Sequence, residues 1–141
     1  MNSIHELMRD RIMKGKPLTR KNAHTKIEII GDFYNVWFYR TKIAIGKVGD
    51  MPFAFNIDGW NTSTTIMRLR ALGFYLWSKR IVVGEFIKPT THRKNKIYQS
   101  VLHINDTPMV TEITRNGKDW KMDTDYHSWY TKEGRKININ V

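Results

Sequence analysis

Cysteine is absent from this chain of 141 residues. Its absence excludes a disulfide framework, thiolate zinc sites, iron–sulfur clusters and cysteine nucleophiles, and it fits a reducing, intracellular compartment. No apolar run approaches the roughly 18 residues that are needed to span a bilayer. The first residues lack the basic and apolar regions of a secretory signal. We therefore expect a cytoplasmic protein with no membrane partner.

Acidic residues are also scarce. Asp and Glu number 13 against 24 Lys and Arg, which gives a net charge of +11 and a pI near 10.0. Solubility alone needs a net charge of only about 2–8, and a field of this sign attracts phosphate backbones, anionic membranes or acidic proteins. Five tryptophans and a hydrophobic fraction of 40% indicate an ordinary packed core. The composition predicts one folded domain with a polyanionic partner.

The N-terminal residues predict a short helix followed by a basic arm. Ser3 with Glu6 three residues later forms a capping box, and Gly15 and Pro17 are stop signals. A helical stripe lies between them, formed by Ile4, Leu7, Met8 and Ile12. Residues 14–26 contain several bases and no acid, so we expect them to form a mobile arm or a loop. We therefore divide the chain into a helix with its arm (1–26) and an α+β domain (27–141).

The remaining sequence predicts an α+β fold in which a mainly antiparallel sheet packs against one central helix. Segments rich in β-branched and aromatic residues, bounded by turn signals, predict strands at 27–30, 34–40, 42–46, 53–57, 81–87, 97–104, 109–114, 119–122 and 136–141. Asn116-Gly117 is a strong hairpin turn signal. Residues 64–79 are apolar on most sides of a helical wheel, which predicts a buried helix with Gly73 allowing a close approach to the sheet.

Two groups of basic residues are the candidate nucleic-acid contacts. A basic loop such as 88–96, between two predicted strands, can hold phosphates while the scaffold fixes its position. The arm contributes Lys16, Arg20, Lys21 and Lys26, and the loop contributes Lys88, Arg93, Lys94 and Lys96.

Aromatic residues interleaved with bases can also stack on single-stranded bases. The first candidate combines Tyr34, Trp37, Phe38 and Tyr39 with Arg40 and Lys42. The second combines Tyr126, Trp129 and Tyr130 with Lys132 and Arg135. Strand alternation places only every second residue on one face, and strand aromatics are more often core residues, so a core role stays open for both groups.

One local string resembles a family of small bacteriophage proteins of unassigned activity. It consists of Gly59-Trp60-Asn61-Thr62, then Thr64-Thr65 and Arg68-Leu69, with Ile43-Ala44 upstream. The resemblance covers about residues 37–72, and the sequence departs from the family pattern at 40–42 and at Arg70. It implies a phage origin and carries no functional residue onto this chain.

No catalytic motif is evident around any of the five histidines, and no phosphate-binding glycine loop is present. A metal-dependent nuclease is an alternative, because strand alternation would place Asp123, Asp125 and His127 on one face. The same spacing also arises by chance in a polar edge strand.

The sequence therefore predicts a non-enzymatic nucleic-acid-binding protein without a cofactor, which contacts mainly the phosphates of DNA or RNA. An alternative is a phage protein that binds and inhibits a host protein or nucleoprotein defence complex, through residues 4–14 and the aromatics near Trp129. A structural virion protein is a further alternative.

Overall fold

The computed structural model describes residues 3–57, 63–87, 89–115, 119–122 and 128–139. The helices in these ranges are α1 (Ile4–Lys14) and α2 (Ser63–Ala71). The strands are β1 (Leu18–Arg20), β2 (Thr25–Ile30), β3 (Phe33–Phe38), β4 (Thr41–Lys47), β5 (Ala54–Phe55), β6 (Leu76–Ile87), β7 (Lys94–Ile104), β8 (Thr107–Arg115), β9 (Asp119–Met122), β10 (Trp129–Thr131) and β11 (Lys136–Ile137). The predicted α+β class with a large antiparallel sheet is confirmed.

The strands form two antiparallel sheets. The larger sheet has the order β1-β2-β3-β4-β5-β10-β11, and the smaller has the order β6-β7-β8-β9. Each predicted strand overlaps an observed one, whereas the short strands β1 and β10 were not predicted. The hairpin turn predicted at Asn116-Gly117 lies outside the described residues, although β8 and β9 on either side of it pair as expected.

Both ends of α1 follow the sequence signals. The hydroxyl of Ser3 accepts a hydrogen bond from the amide of Glu6 at 3.2 Å. At the other end Gly15 adopts a φ of 65°. The Gly15 amide donates to the Ile12 carbonyl, and the next amide donates to the Arg11 carbonyl. This pair of bonds is a Schellman motif, which favours glycine at the left-handed position.

The connector at 14–26 is more ordered than the predicted arm or loop. Leu18 is buried and pairs in register with Ile27 of β2, so β1 extends the large sheet by one edge strand. A single 3₁₀ turn (Lys21–Ala23) then leads back into β2. The burial of Leu18 and the pairing of three β1 residues hold this segment against the sheet. Its composition alone predicted a mobile arm or a loop.

The prediction of a helix over 64–79 is wrong beyond residue 71, because α2 ends at Ala71. Gly73 has a φ of 100°. Its amide donates to the Arg70 carbonyl, and the amide of Phe74 donates to the Leu69 carbonyl, so α2 ends in the same glycine motif as α1. The chain then enters β6. Gly73 therefore terminates the helix, and an added Cβ there would meet no atom closer than 3.6 Å.

A single hydrophobic cluster joins both helices to both sheets. Each of its large side chains contributes about 1.5–3 kcal/mol when it is removed from water. The cluster includes Met8 and Ile12 of α1, Ile27, Val36 and Ile43 of the large sheet, Ile66 and Leu69 of α2, and Leu76, Leu102 and Ile104 of the small sheet. Helix α1 packs into this cluster, and β1 is the edge strand of the large sheet. The basic residues that follow α1 are therefore held against the fold.

Candidate functional site

A two-residue turn, Tyr39-Arg40, joins β3 to β4, with Phe38 paired to Thr41 across it. Two-residue hairpin turns need positive φ at their first central residue, where glycine, asparagine and aspartate are favoured. Tyr39 occupies that position with a φ of 56° and is 62% exposed. The turn therefore presents a large aromatic ring to solvent on a strained backbone.

His24 holds the Tyr39 ring in place. The Tyr39 amide donates to the His24 carbonyl at 2.7 Å. The two rings stack with centroids 4.0 Å apart and planes inclined by 11°. His24 itself lies at a φ of 51° where the 3₁₀ turn ends. Two separate turns of the chain thus fix one exposed, stacked pair of rings.

Arg68 of α2 lies beneath this pair and ties it to the core. Its guanidinium donates to the Ala23 carbonyl at 3.0 Å and lies 4.5 Å from the centre of the Phe38 ring. Arg68 is only 6% exposed, and burial lowers the pKa of its guanidinium. Among the described residues it forms no salt bridge. A buried positive charge therefore lies under the exposed turn.

Several of the predicted basic residues converge beside Tyr39. An open depression of about 390 Å³, which we call the basic groove, is lined by Arg20, Lys21, His24, Lys26, Tyr39 and Arg40, together with two threonines. None of the described residues that line it is acidic. Lys26 lies 3.7 Å from Glu28 and is partly neutralised. Within the described ranges the other three cations form no salt bridge.

Glu28 keeps its own charge close to this edge of the groove. Asn35 donates to the Glu28 carboxylate at 3.2 Å, and this bond lowers the pKa of the carboxyl. Since Glu28 is ionised near neutral pH, it weakens the attraction of Lys26 for an anion. The unpaired charges of Arg20, Lys21 and Arg40 therefore dominate the groove.

A second, more enclosed depression borders the same turn. It has a volume of about 460 Å³ and is mainly apolar. We call it the apolar cavity, and its walls include Phe38, Tyr39, Arg40, Thr41, Ile43 and Thr64. Tyr39 and Arg40 line both depressions, so the turn forms a ridge between a cationic surface and an apolar one.

The structure brings together three of the four arm residues predicted as contacts. Arg20, Lys21 and Lys26 line the basic groove, whereas Lys16 does not. Lys16 is exposed directly after Gly15, and its amide bonds to the Arg11 carbonyl at the end of α1. Arg40 also lines the groove. The sequence analysis placed it at the end of a strand, as a base of the first stacking candidate, and did not include it among the phosphate contacts.

The loop group lies on the other sheet. Arg93, Lys94 and Lys96 are all exposed near the turn between β6 and β7. Lys94 pairs with Ile87 and Lys96 pairs with Glu85 across the two strands, so an acid lies opposite one of the three bases. Lys88 lies outside the described residues. The two predicted groups therefore belong to different sheets.

The aromatic candidates divide between core and surface. Tyr34 and Phe38 are buried, and Trp37 is half-buried with Lys42 5.4 Å from the centre of its ring. Tyr39 is the one aromatic residue of this group that is exposed. In the second group Tyr130 is buried and packs near Phe55, and Trp129 is half-buried. Tyr126 lies outside the described residues.

The described residues include only part of the sites predicted for the alternative functions. Asp123, Asp125 and His127 lie outside the described residues, and elsewhere in the described ranges no three His, Asp or Glu side chains group to hold a metal ion. The apolar stripe of α1 contributes Met8 and Ile12 to the core of this chain. Those two side chains are therefore unavailable to a protein partner.

Comparisons with known proteins assign no relative. No family model, curated protein or solved structure matches this chain. None of the helices in the described ranges combines the length and apolarity required to cross a bilayer.

Proposed function

We propose that this protein binds nucleic acid through the basic groove and the Tyr39 ring, and that it does so without catalysing a reaction. The observation that carries the proposal is the exposed, stacked Tyr39 ring surrounded by Arg20, Lys21 and Arg40. Phosphate contacts by Lys and Arg provide most non-specific affinity, and an exposed aromatic adds sequence-tolerant stacking. The net charge of +11 supports the same partner by attracting a polyanion at long range.

The absence of acids from the described lining of the groove supports a phosphate ligand in particular. A site for a cationic or neutral partner gains nothing from three unpaired cations, which repel one another when no anion is bound. Guanidinium groups form two parallel hydrogen bonds to phosphate, and the groove contains two of them, on Arg20 and Arg40. The proposal favours backbone contacts over reading of base edges.

The proposal also includes the origin of the protein and the compartment in which it acts. The resemblance of residues 37–72 to a family of small bacteriophage proteins implies a phage origin, and a phage protein of this kind would act in the cytoplasm of its host. The exposed group of Arg93, Lys94 and Lys96 provides a second phosphate contact in this proposal, on the small sheet.

A salt-dependence measurement with charge-matched variants tests the proposal. We expect the affinity for labelled DNA or RNA to fall steeply between about 50 and 200 mM salt. In Arg20→Gln/Lys21→Gln, the slope of log affinity against log salt should decrease by about 1.4–1.8, since each lost phosphate contact contributes about 0.7–0.9. Fluorescence anisotropy at several salt concentrations gives both quantities.

The matched control is Lys47→Gln/Lys132→Gln, which removes two exposed positive charges outside the groove. This control should reduce the slope by much less, because the groove contacts are intact. Equal slopes for the two double variants would show that net charge alone attracts the ligand, and an affinity that does not depend on salt would refute the proposal.

A further inference from the structure

The Tyr39-Arg40 turn separates two depressions whose chemistries match the two parts of a nucleotide. The basic groove is open and cationic, as a phosphate backbone requires. The apolar cavity has apolar walls from Phe38 and Ile43 and hydroxyl groups from Thr41 and Thr64. Its volume of about 460 Å³ lies within the range of small-ligand pockets. A planar base with polar edges suits such a lining.

The continuity of the two depressions restricts the form of the ligand. Because Tyr39 and Arg40 line both, a chain with phosphates in the groove passes directly beside the cavity. A duplex keeps its bases stacked inside the helix, and extruding one base from it costs unstacking and unpairing energy. A single strand has no pairing to break, so its bases can leave the backbone path and enter a side cavity.

We infer that the protein binds single-stranded nucleic acid, with one base in the apolar cavity beside Tyr39 and the adjoining phosphates in the basic groove. This inference rests on the proposed function and adds to it the strandedness of the ligand and the site of one base. The charge complementarity of the groove selects a polyanionic chain as the occupant. The Tyr39 ring, which is 62% exposed, lies between the base site and the phosphate site.

Three labelled ligands of equal length test the inference with the wild-type protein: a single strand, its duplex, and a strand of the same phosphates that carries no bases. We expect the single strand to bind at least about tenfold more tightly than the duplex, in which a base must first be unstacked and unpaired. We expect the same minimum difference from the base-free strand, which has no base to place in the cavity. Equal affinities for the single strand and the base-free strand would overturn the inference.

A cavity-filling variant separates the cavity from stacking on Tyr39. Thr64→Phe places a bulky ring at the cavity wall without changing charge, and we expect it to weaken single-strand binding about tenfold while duplex binding changes by less than about twofold. Met67→Phe is the matched control, because Met67 is exposed on the same helix and does not line the cavity. This control should bind all ligands as the wild type does.

The outcomes distinguish this inference from the proposed function. If the single strand and the duplex bind equally through Arg20 and Lys21, the groove function stands and the cavity inference fails. If no strand binds at low salt, both fail. Should Thr64→Phe not fold in a thermal melt, Thr41→Phe fills the same cavity from β4, and unchanged single-strand binding in the folded variant overturns the inference.

Discussion

His24 and Tyr39 stack with their ring planes 11° apart, although both residues adopt positive φ. Left-handed backbone costs roughly 1–2 kcal/mol for each non-glycine residue. The Tyr39 amide bond to His24 and the contact between the rings offset part of that strain. The pair therefore depends on both turns, since each turn carries one of the two stacked rings.

Replacing the Tyr39 ring should weaken nucleic-acid binding selectively. Stacking of a base on an aromatic side chain is worth about 1–3 kcal/mol, so we expect Tyr39→Ala to reduce single-strand affinity roughly 5- to 150-fold. Tyr39→Phe keeps the ring and should bind within about twofold of the wild type. Fluorescence anisotropy measures both, and a thermal melt establishes that each variant is folded. Wild-type affinity in Tyr39→Ala would contradict a stacking role.

Arg68→Lys should destabilise the protein and loosen the His24 turn. Lysine keeps the charge but lacks the planar fork that reaches the Ala23 carbonyl while covering Phe38. Leaving that buried site unsatisfied costs about 1–3 kcal/mol. Urea denaturation measures the loss, and hydrogen exchange of the Tyr39 amide, which bonds to His24, reports on the turn itself.

Arg70→Lys is the control for that experiment, because Arg70 is exposed on the same helix. It should change neither the urea midpoint nor the protection of the Tyr39 amide beyond experimental error. If Arg68→Lys behaves like Arg70→Lys in both measurements, then the bond to Ala23 does not position the turn.

Gly46→Ala should destabilise the sheet through a steric clash. Gly46 pairs with Tyr34 across β3 and β4, and an added Cβ would lie 2.8 Å from Cε1 of the Tyr34 ring and closer to its hydroxyl. The ring cannot move away easily, because its hydroxyl donates to the Asp50 carbonyl at 2.6 Å. Overpacking of this kind costs typically about 1–3 kcal/mol.

A double-mutant cycle checks the cause of that loss. Tyr34→Leu removes the ring, so Gly46→Ala should be much less destabilising in the Tyr34→Leu background than in the wild type. Chemical denaturation of the four proteins gives the coupling energy. Additive effects would show that the added methyl group acts on the backbone of β4 and not on Tyr34.

Stability should fall in mild acid because of His5. Burial, followed by the charges of Arg68 and Arg9, lowers the pKa of His5 from its ordinary value of 6.5. Between that value and the lower folded pKa, the unfolded chain binds a proton that the folded chain does not. The contribution of His5 is therefore fully present above about pH 6.5 and is lost as the pH falls through the folded pKa.

The measurement is the free energy of unfolding of the wild type and of His5→Gln across the range from about pH 5 to pH 8. The difference between the two proteins should be constant above about pH 6.5 and should change below it in favour of the variant. Parallel curves over the whole range would show that His5 has the same pKa in the folded and unfolded states.

The parts of the fold that were predicted correctly depend on local signals. Ser3 and Glu6 mark the start of α1 and Gly15 marks its end, and the β-branched segments locate most strands. Gly73 carries the same end signal as Gly15, yet the apolar residues on both sides of it also fit a continuous helix. Leu72, Phe74 and Leu76 are spaced two residues apart and are all buried. This spacing is the alternation of extended chain, and a helical wheel does not display it.

The candidate site was only partly predictable, because it depends on contacts between distant segments. The charge of Arg20, Lys21 and Lys26 is visible in the sequence, but their convergence on Tyr39 requires the pairing of β1 with β2 and of β2 with β3. Tyr-Arg is also an unusual pair for a two-residue turn, for which glycine or asparagine is the ordinary signal. Arg40 was therefore assigned to a strand, as part of the stacking candidate, and was not predicted as a phosphate contact.

Because Tyr39 has a positive φ, the residue that would stabilise the fold most at position 39 differs from the residue that the proposed binding needs. Glycine, and to a lesser extent asparagine, would relieve the backbone strain there, whereas only an aromatic side chain supplies the proposed stacking surface. A library of variants at position 39 sorted for heat resistance should enrich glycine and asparagine, and the same library sorted for ligand capture should retain tyrosine and phenylalanine. Opposite enrichments would mark this turn as a stability–activity trade-off.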